Sequence, residues 1–404
     1  MLIKDVRFYI RKGEPACREV RSWGGIDKVP PGLSGLFTHT AGFIGEQPVF
    51  DEAMFHGERQ VVCYRDEAPR PTYTATIRLV TDSGMDAYAS FGSGYHADEL
   101  EWEAKGFKVS LAPLLVGVDA FDREYIWQRL WYAQRFFYTG RRPVDLVDDM
   151  LWDLASRHAR LPVYKLLGGY RERIPAYRNI HGATVEELVA DALQARDHEG
   201  FLGCKDHSYR GVEGNAVLAR ELRTALGDGF HLMHDPVESY TGNEAVQIGR
   251  VLERLGYEWI EEPLQDYDLM GLRKLCATLD LPVLALEWIG AIGGQPFNTS
   301  AYLALQAADI VRQRGVGITG QVKQAQLAES FGVQVHGGNP QVILAIRNDP
   351  LFEAMGLAPL PPDATLDCRG RVVVQDGYMS IAWAPERPPE PDWDEAERES
   401  VSVV

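Results

Sequence analysis

No apolar run in the chain approaches the roughly 20 residues that cross a bilayer, so no membrane-spanning helix is expected. The opening MLIKDVRFYIRKGE also lacks an apolar core followed by a small-residue cleavage site, and the expected location is the cytoplasm. Cysteine is scarce: Cys17, Cys63, Cys204, Cys276 and Cys368 lie far apart, odd in number and without a CxxC pair. That pattern argues against a disulfide framework or a zinc–thiolate site and reads as ordinary reduced thiols. Basic residues are few, 41 Lys and Arg against 58 Asp and Glu, a formal net charge of −17. Phosphate backbones and anionic membranes need a basic face, so neither nucleic acid nor membrane is an expected partner. An anionic substrate would need a local cation to overcome that field, and a divalent ion would serve.

What remains is the balance of a soluble globular protein, 45% hydrophobic and 25% charged, in 404 residues. That length suggests two domains, one of them large. Residues 1–145 read as an α+β unit: a strand at Leu2–Ile10, a Gly/Pro-rich loop at Gly24–Gly45, a second strand at Thr72–Thr81 and helical periodicity over Phe121–Phe137. From about Arg173 the rhythm changes. Short apolar runs (IPAYRNI, FLGCKDH, FHLMHD, EWIEE, PVLALE, DIVRQR, GVQVH and a weaker one at Leu351–Ala354) alternate with helical segments. This is the βαβ pattern of a parallel sheet, and eight units in about 200 residues fit a (β/α)8 barrel over 146–362. The segment 363–404 contains RVVVQDGYMSIAW, read as a strand returning to the first domain, followed by a Pro- and Glu-rich end expected to be mobile.

Asp235, Glu261 and Glu287 each end an apolar run, at two equal intervals of 26 residues. One interval is one βα unit, so the three acids sit at one level on successive strands, at the C-terminal rim where barrel sites assemble. Like charges held together call for a cation, and hard oxygen ligands suit Mg²⁺, with Mn²⁺ as a substitute, better than zinc. The plainer alternative is that each acid caps the helix that follows. In FLGCKDH, Lys205 and His207 are two apart and face the same way, with Asp206 opposite. Inside a barrel mouth, burial and a nearby cation would depress the Lys205 pKa and make it a proton acceptor. His207 would be a second base, an acid or a substrate donor. Alternatively the pair is a surface lysine and a structurally satisfied histidine. His231 shares the inward parity of Asp235 but lies deeper and reads as core or as a support behind the site, and His234 as facing the helices.

Together these residues resemble the enolase superfamily, and within it the acid-sugar dehydratases and racemases similar to mandelate racemase. The pieces are PLLVGVDAFDREYIWQRLW, LWDLASRHARLPVYKLLGG, Lys205-Asp206-His207, Asp235, Trp259-Ile260-Glu261-Glu262-Pro263, Glu287-Trp288 and GITG at Gly317–Gly320. The resemblance implies a capping domain that closes over the barrel and is completed by C-terminal residues, with the Gly24–Gly45 loop touching substrate through His39, and Trp23 just before it. It implies Mg²⁺ on Asp235, Glu261 and Glu287, with Glu262 facing outward, Trp288 beside the substrate, and a small carboxylate whose α-proton a lysine or histidine removes. Family members are usually homo-oligomers, so one is expected here.

One departure stands out. A seventh-strand histidine in this family usually pairs with an aspartate at the end of the sixth strand. Here the histidine is His336, but the sixth strand ends Val311-Arg312-Gln313-Arg314, and Asp309 is at its wrong end. His336 then reads as an acid or substrate ligand, or as structural. Glu353 matches an eighth-strand acid of the family or caps a helix, and Arg314 binds a distal substrate carboxylate or forms a core ion pair. The first reading is a sugar-acid dehydratase giving a 2-keto-3-deoxy acid, with Lys205 as base and His336 or His207 as acid. The second is a racemase or epimerase, disfavoured by the missing aspartate. The third, a barrel that binds without turnover, is disfavoured by the complete acid triplet beside Lys205.

Overall fold

The computed structural model describes residues 1–17, 19–23, 60–65, 67–182, 184–207, 210–287 and 297–404. The capping unit is built on β1 (Ile3–Ala16), β2 (Glu19–Trp23), β3 (Gln60–Arg65), β4 (Arg70–Thr81) and β5 (Ala87–Gly94), with β2 and β3 forming their own antiparallel pair. Inward Val6, Phe8 and Ile10 alternate with outward residues along β1, so the sheet has one apolar face. Helices α1 (Ala97–Ser110), α2 (Arg123–Phe137) and α3 (Arg142–Ala159) cover that face through Leu100, Phe107, Trp127, Leu130 and Leu151. The boundary expected at 145/146 falls inside α3, whose Met150, Leu151 and Leu154 belong to the capping core. One amphipathic helix serves both units.

After the short α4 (Val163–Leu166) the barrel follows as eight strands: β6 (Arg173–Ile180), β7 (Gly203–Asp206), β8 (His231–His234), β9 (Trp259–Glu261), β10 (Val283–Ala285), β11 (Ile310–Arg312), β12 (Gln334–His336) and β13 (Phe352–Ala354). Neighbours from β6 to β12 pair in parallel in chain order, and β13 pairs in parallel with β6, bringing the last strand beside the first. Between β12 and β13 the link is Val335 N–H donating to Asn348 O at 2.9 Å. Interleaved helices are α5 (Val185–Asp197), α6 (Gly211–Leu226), α7 (Gly242–Arg254), α8 (Leu269–Thr278), α9 (Thr299–Leu305), α10 (Gly317–Ser330) and α11 (Pro340–Ala345). Capping boxes start α5 (Thr184 with Glu187) and α7 (Thr241 with Glu244), satisfying backbone N–H groups that have no partner inside the helix. Tyr177, Met233, Trp259, Leu284, Ile310 and Leu351 fill the barrel interior, while a larger apolar layer joins strands to helices.

The C-terminal expectation needs correction. β14 (Arg371–Gln375) and β15 (Tyr378–Ala382) form a hairpin that pairs with the start of β6, on the barrel and not on the cap. Cys368 and Glu390 meet the end of α3 through Ser156 (3.2 Å) and Arg157 (2.7 Å), and the last dozen residues return to the cap's sheet. There α12 (Trp393–Glu399) stacks Trp393 on Tyr9, and β16 (Ser400–Val403) pairs with β1, so the acidic end expected to be mobile is ordered.

α3 grips the barrel at the N-terminus of α10. Asp145 accepts from Gly317 N–H (2.5 Å), Asp148 accepts from both Thr319 N–H (2.8 Å) and its hydroxyl (2.7 Å), and Arg141 donates to Arg314 O (2.9 Å). Acids at a helix N-terminus meet the positive end of its dipole. Gly317 has φ +66°, and a Cβ there would lie 2.5 Å from Asp148 Oδ2.

Candidate active site

Most barrel strands deliver polar side chains to the C-terminal mouth, above the apolar layer. β7 brings Lys205, whose Nζ lies 3.0 Å from each of Asp235 Oδ2, Glu261 Oε2 and Glu353 Oε1. His207 Nε2 is 3.2 Å from the same Asp235 oxygen. Glu287 stands beyond Leu286, a residue at φ +82°, and meets Arg312 Nε at 2.8 Å and the Arg314 guanidinium. Arg312 also reaches Glu261 (3.1 Å) and Glu353 (2.5 Å), and Asn179 donates to Glu353 Oε1 (3.2 Å). The structure thus gathers Lys205, His207, Asp235, Glu261, Glu287, Glu353 and Arg314 around one mouth. Trp23 ends β2, paired with Gln60, whereas His39 and Trp288 lie outside the described residues.

His336 takes a deeper place. It is 1% exposed, with Nε2 at 2.8 Å from Tyr177 Oη and its ring against Tyr177 and Trp259. Nδ1 lies 3.2 Å from Asp349 Oδ1, a carboxylate just before β13. Histidine His234 points between strand and helix to Asp206 (2.8 Å) and Tyr240 (2.9 Å), and His231 pairs with Glu258 (2.6 Å) away from the mouth.

The electrostatics reverse one expectation. Burial alone would lower the Lys205 pKa, but Glu261, Glu353 and Asp235 outweigh it and hold the ammonium well above its ordinary value. Burial opposes charge on His207 too, yet Asp235 prevails and raises its pKa. In turn Lys205 and His207 hold the buried Asp235 well below the usual carboxylate range, and Lys205 and Arg312 do the same for Glu353.

The donor set fits a hard divalent cation. Three carboxylates come from consecutive strands, and Glu261 Oε1 is buried with only the ion-pair contact to Arg312 (3.1 Å) and no aligned hydrogen bond. Asp235, Glu261 and Glu287 are the residues that would hold it. Arg312, Tyr177, Asn179 and Asp349 are the members that the sequence reading missed. Alternation would have shown Arg312, two residues after the inward Ile310; Asp349 sits in a loop and has no periodic signal.

The comparisons agree with this architecture. Residues 72–168 match the N-terminal domain of mandelate racemase/muconate lactonizing enzyme, and residues 187–388 match the enolase C-terminal domain-like family. Arabinonate dehydratase of Saccharolobus solfataricus is 28% identical over 273 residues, 65% of this chain and 68% of that protein. L-talarate/galactarate dehydratase of Salmonella typhimurium is 31% identical over 276 residues, 65% and 67% of the two chains. The crystal structure of D-glucarate dehydratase from Agrobacterium tumefaciens complexed with magnesium superposes with a TM-score of 0.71 at 25% identity, covering 100% of each chain. With both domains matched in order and the barrel and cap in place, the chain belongs to the enolase superfamily, in its mandelate racemase-like branch.

Proposed function

We propose that this protein is a Mg²⁺-dependent dehydratase of a polyhydroxylated sugar acid, removing the α-proton and the β-hydroxyl to give a 2-keto-3-deoxy acid. The observation that carries it is Lys205 Nζ at 3.0 Å from Asp235 and Glu261, two of the three acids that end consecutive strands. A proton acceptor and the carboxylates for a divalent ion therefore meet at one point. Bound there, Mg²⁺ supplies positive charge to the substrate carboxylate and offsets the negative field that now keeps Lys205 protonated.

The chain's own groups do the rest. Lys205 takes the α-proton on Nζ, its long stem fixed by burial against Asp235, Glu261 and Glu353. The departing hydroxyl takes a proton from His207 or His336 and leaves as water, after which the enol product rearranges to the keto acid. His207 is open to the mouth, its side chain 34% exposed, and its raised pKa suits a proton donor near neutrality. Arg314, partly exposed beside Glu287, is placed to bind a distal carboxylate. The family's relatives that act on arabinonate and on talarate or galactarate support an acid-sugar substrate.

Racemisation or epimerisation is the second reading, and His336 favours it, because its contact with Asp349 restores a carboxylate partner to a second base. One measurement separates the two. The protein is incubated with Mg²⁺ and a panel of aldonic and aldaric acids in D₂O and followed by proton NMR. Dehydration gives a new 3-deoxy methylene signal; inversion or α-proton exchange alone moves the conclusion to the second reading. An absence of both across the panel overturns the enzyme assignment.

A further inference from the structure

We infer that Asp349 is the carboxylate that positions His336 and fixes its tautomer, a task that the end of the sixth barrel strand does not perform in this chain. The inference rests on the reading of the mouth as a proton-transfer site. At the end of β11 stands Arg312, whose guanidinium faces Glu261, Glu287 and Glu353. No acid there reaches the histidine. Instead the loop before β13 carries Asp349, 0% exposed, with Oδ1 at 3.2 Å from His336 Nδ1.

The donors around Asp349 point to which nitrogen bears the proton. Gly337 N–H donates to Oδ2 (3.1 Å) and Leu351 N–H to Oδ1 (3.4 Å), so the carboxylate is held by backbone groups as an acceptor. A third contact to an acceptor must come from a donor, which makes His336 the Nδ1–H form. Nε2 is then the bare nitrogen of the neutral ring, and it lies 2.8 Å from Tyr177 Oη, which donates to it. Nε2 is therefore the nitrogen left to exchange protons in the site.

The loop is built for this contact. Arg171 donates to the carbonyls of Ile346 (3.0 Å), Arg347 (2.8 Å) and Asp349 (2.8 Å), tying this stretch of loop backbone to one guanidinium. On the other side Gly337 turns at φ +82°, which aims its amide at Asp349, and a Cβ there would meet the Arg312 guanidinium at 3.3 Å. Both sides of the pair are thus fixed by backbone geometry, as in other sites where an outer carboxylate orients an imidazole.

Asp349→Asn tests it sharply. The amide keeps the shape but has one oxygen; if that oxygen holds Gly337 N–H, an NH₂ group faces Nδ1 and the tautomer reverses. Nitrogen-15 NMR of His336, made on the metal-free protein without substrate, should show Nδ1–H in the wild type and its loss in Asp349→Asn. On whichever acid the wild type turns over, kcat should fall by about 10²–10⁴-fold, the range of one acid–base group, with KM little changed. In a His336→Gln background the same substitution should cost nothing more in kcat. A wild-type ring protonated at Nε2, a native kcat in Asp349→Asn, or an additive loss in the double variant each overturns the inference. Absence of any turnover by the wild type strikes the dehydratase reading instead, and the NMR result still decides the tautomer.

Discussion

Two buried carboxylate groups meet at the peptide bond between Glu261 and Glu262, and they behave oppositely. The inner one, Asp235 and Glu261 with Glu287 and Glu353, is interleaved with Lys205, His207, Arg312 and Arg314. The outer one joins Glu238, Glu262 and Asp266, with ligand oxygens within 4.8 Å of one another, and among the described residues neither Glu238 nor Glu262 forms an ion pair. Asp235 and Glu261 of the inner group are as buried as the three outer acids, whereas Glu287 and Glu353 are part-exposed. Yet the inner Asp235 and Glu353 are held below the ordinary range, while burial pushes Glu238 up to about 7 and, with Asp235 and Glu287 nearby, Glu262 well above its usual value. Neighbouring cations, and not depth, decide whether a buried acid is charged. The outer acids serve as braces: Glu238 accepts from Asp266 N–H (2.9 Å), and Asp266 accepts from Leu286 N–H (2.7 Å), next to Glu287. They hold Glu238, Glu262 and Leu286 at φ +56°, +42° and +82°, conformations that cost about 1–3 kcal/mol each.

The same substitution made one residue apart should break this symmetry most strongly. Glu261→Gln should lower Mg²⁺ affinity by more than about 100-fold, beyond the loss that outer partners produce, and remove turnover. Glu262→Gln replaces an acid that burial biases toward its neutral form by an isostere and should change stability by less than about 1 kcal/mol, with Mg²⁺ binding intact. Calorimetric Mg²⁺ titration of both proteins checks the contrast, and equal losses would erase the distinction. Next in size, Lys205→Met leaves the inner acids without their central cation. Urea unfolding in the absence of metal should show a loss of about 3–5 kcal/mol, and added Mg²⁺ should recover part of it. A variant as stable as wild type would mean that Lys205 does not balance those charges.

The smallest effect concerns Glu238. The folded protein keeps its proton up to about pH 7, whereas an unfolded glutamate releases it near pH 4.3. Between those values the unfolded chain binds fewer protons, so this group makes stability fall as pH rises, and the decline ends above about pH 7. Glu238→Gln should remove roughly 1–3 kcal/mol of that slope. Asp148 and Asp149, also raised to about 7 by burial, act with the same sign and leave a residual slope in the variant. Thermal melts at pH 5 and pH 7 measure it; an unchanged slope would place Glu238 with the charged inner acids.

Period and parity made most of the barrel legible. The equal intervals among Asp235, Glu261 and Glu287 repeat the βα unit, and the two-residue step from Lys205 to His207 puts both side chains on one side of a strand. His234 and Asp206 were likewise separable from the mouth by alternation. What escaped lies where no period operates. Asp349 reaches His336 from a loop, the Glu238–Asp266 brace links two loops, and the Lys205 shift depends on a sum of charges that a linear pattern does not contain. RVVVQDGYMSIAW reads as a single strand in sequence; its folding into the β14–β15 hairpin and attachment to β6 are set by tertiary packing.

The grip of α3 on α10 bears on how such proteins can be recombined. Asp145, Asp148 and Arg141 close on the backbone of Arg314, Gly317 and Thr319, and the position at 317 admits no side chain. Because Arg314 also touches Glu287, the cap's last helix and the barrel's sixth loop form a single fitted joint. A chimera that took its cap from one relative and its barrel from another would inherit mismatched halves of that joint, unless the crossover were placed after α3 and the glycine travelled with its acids.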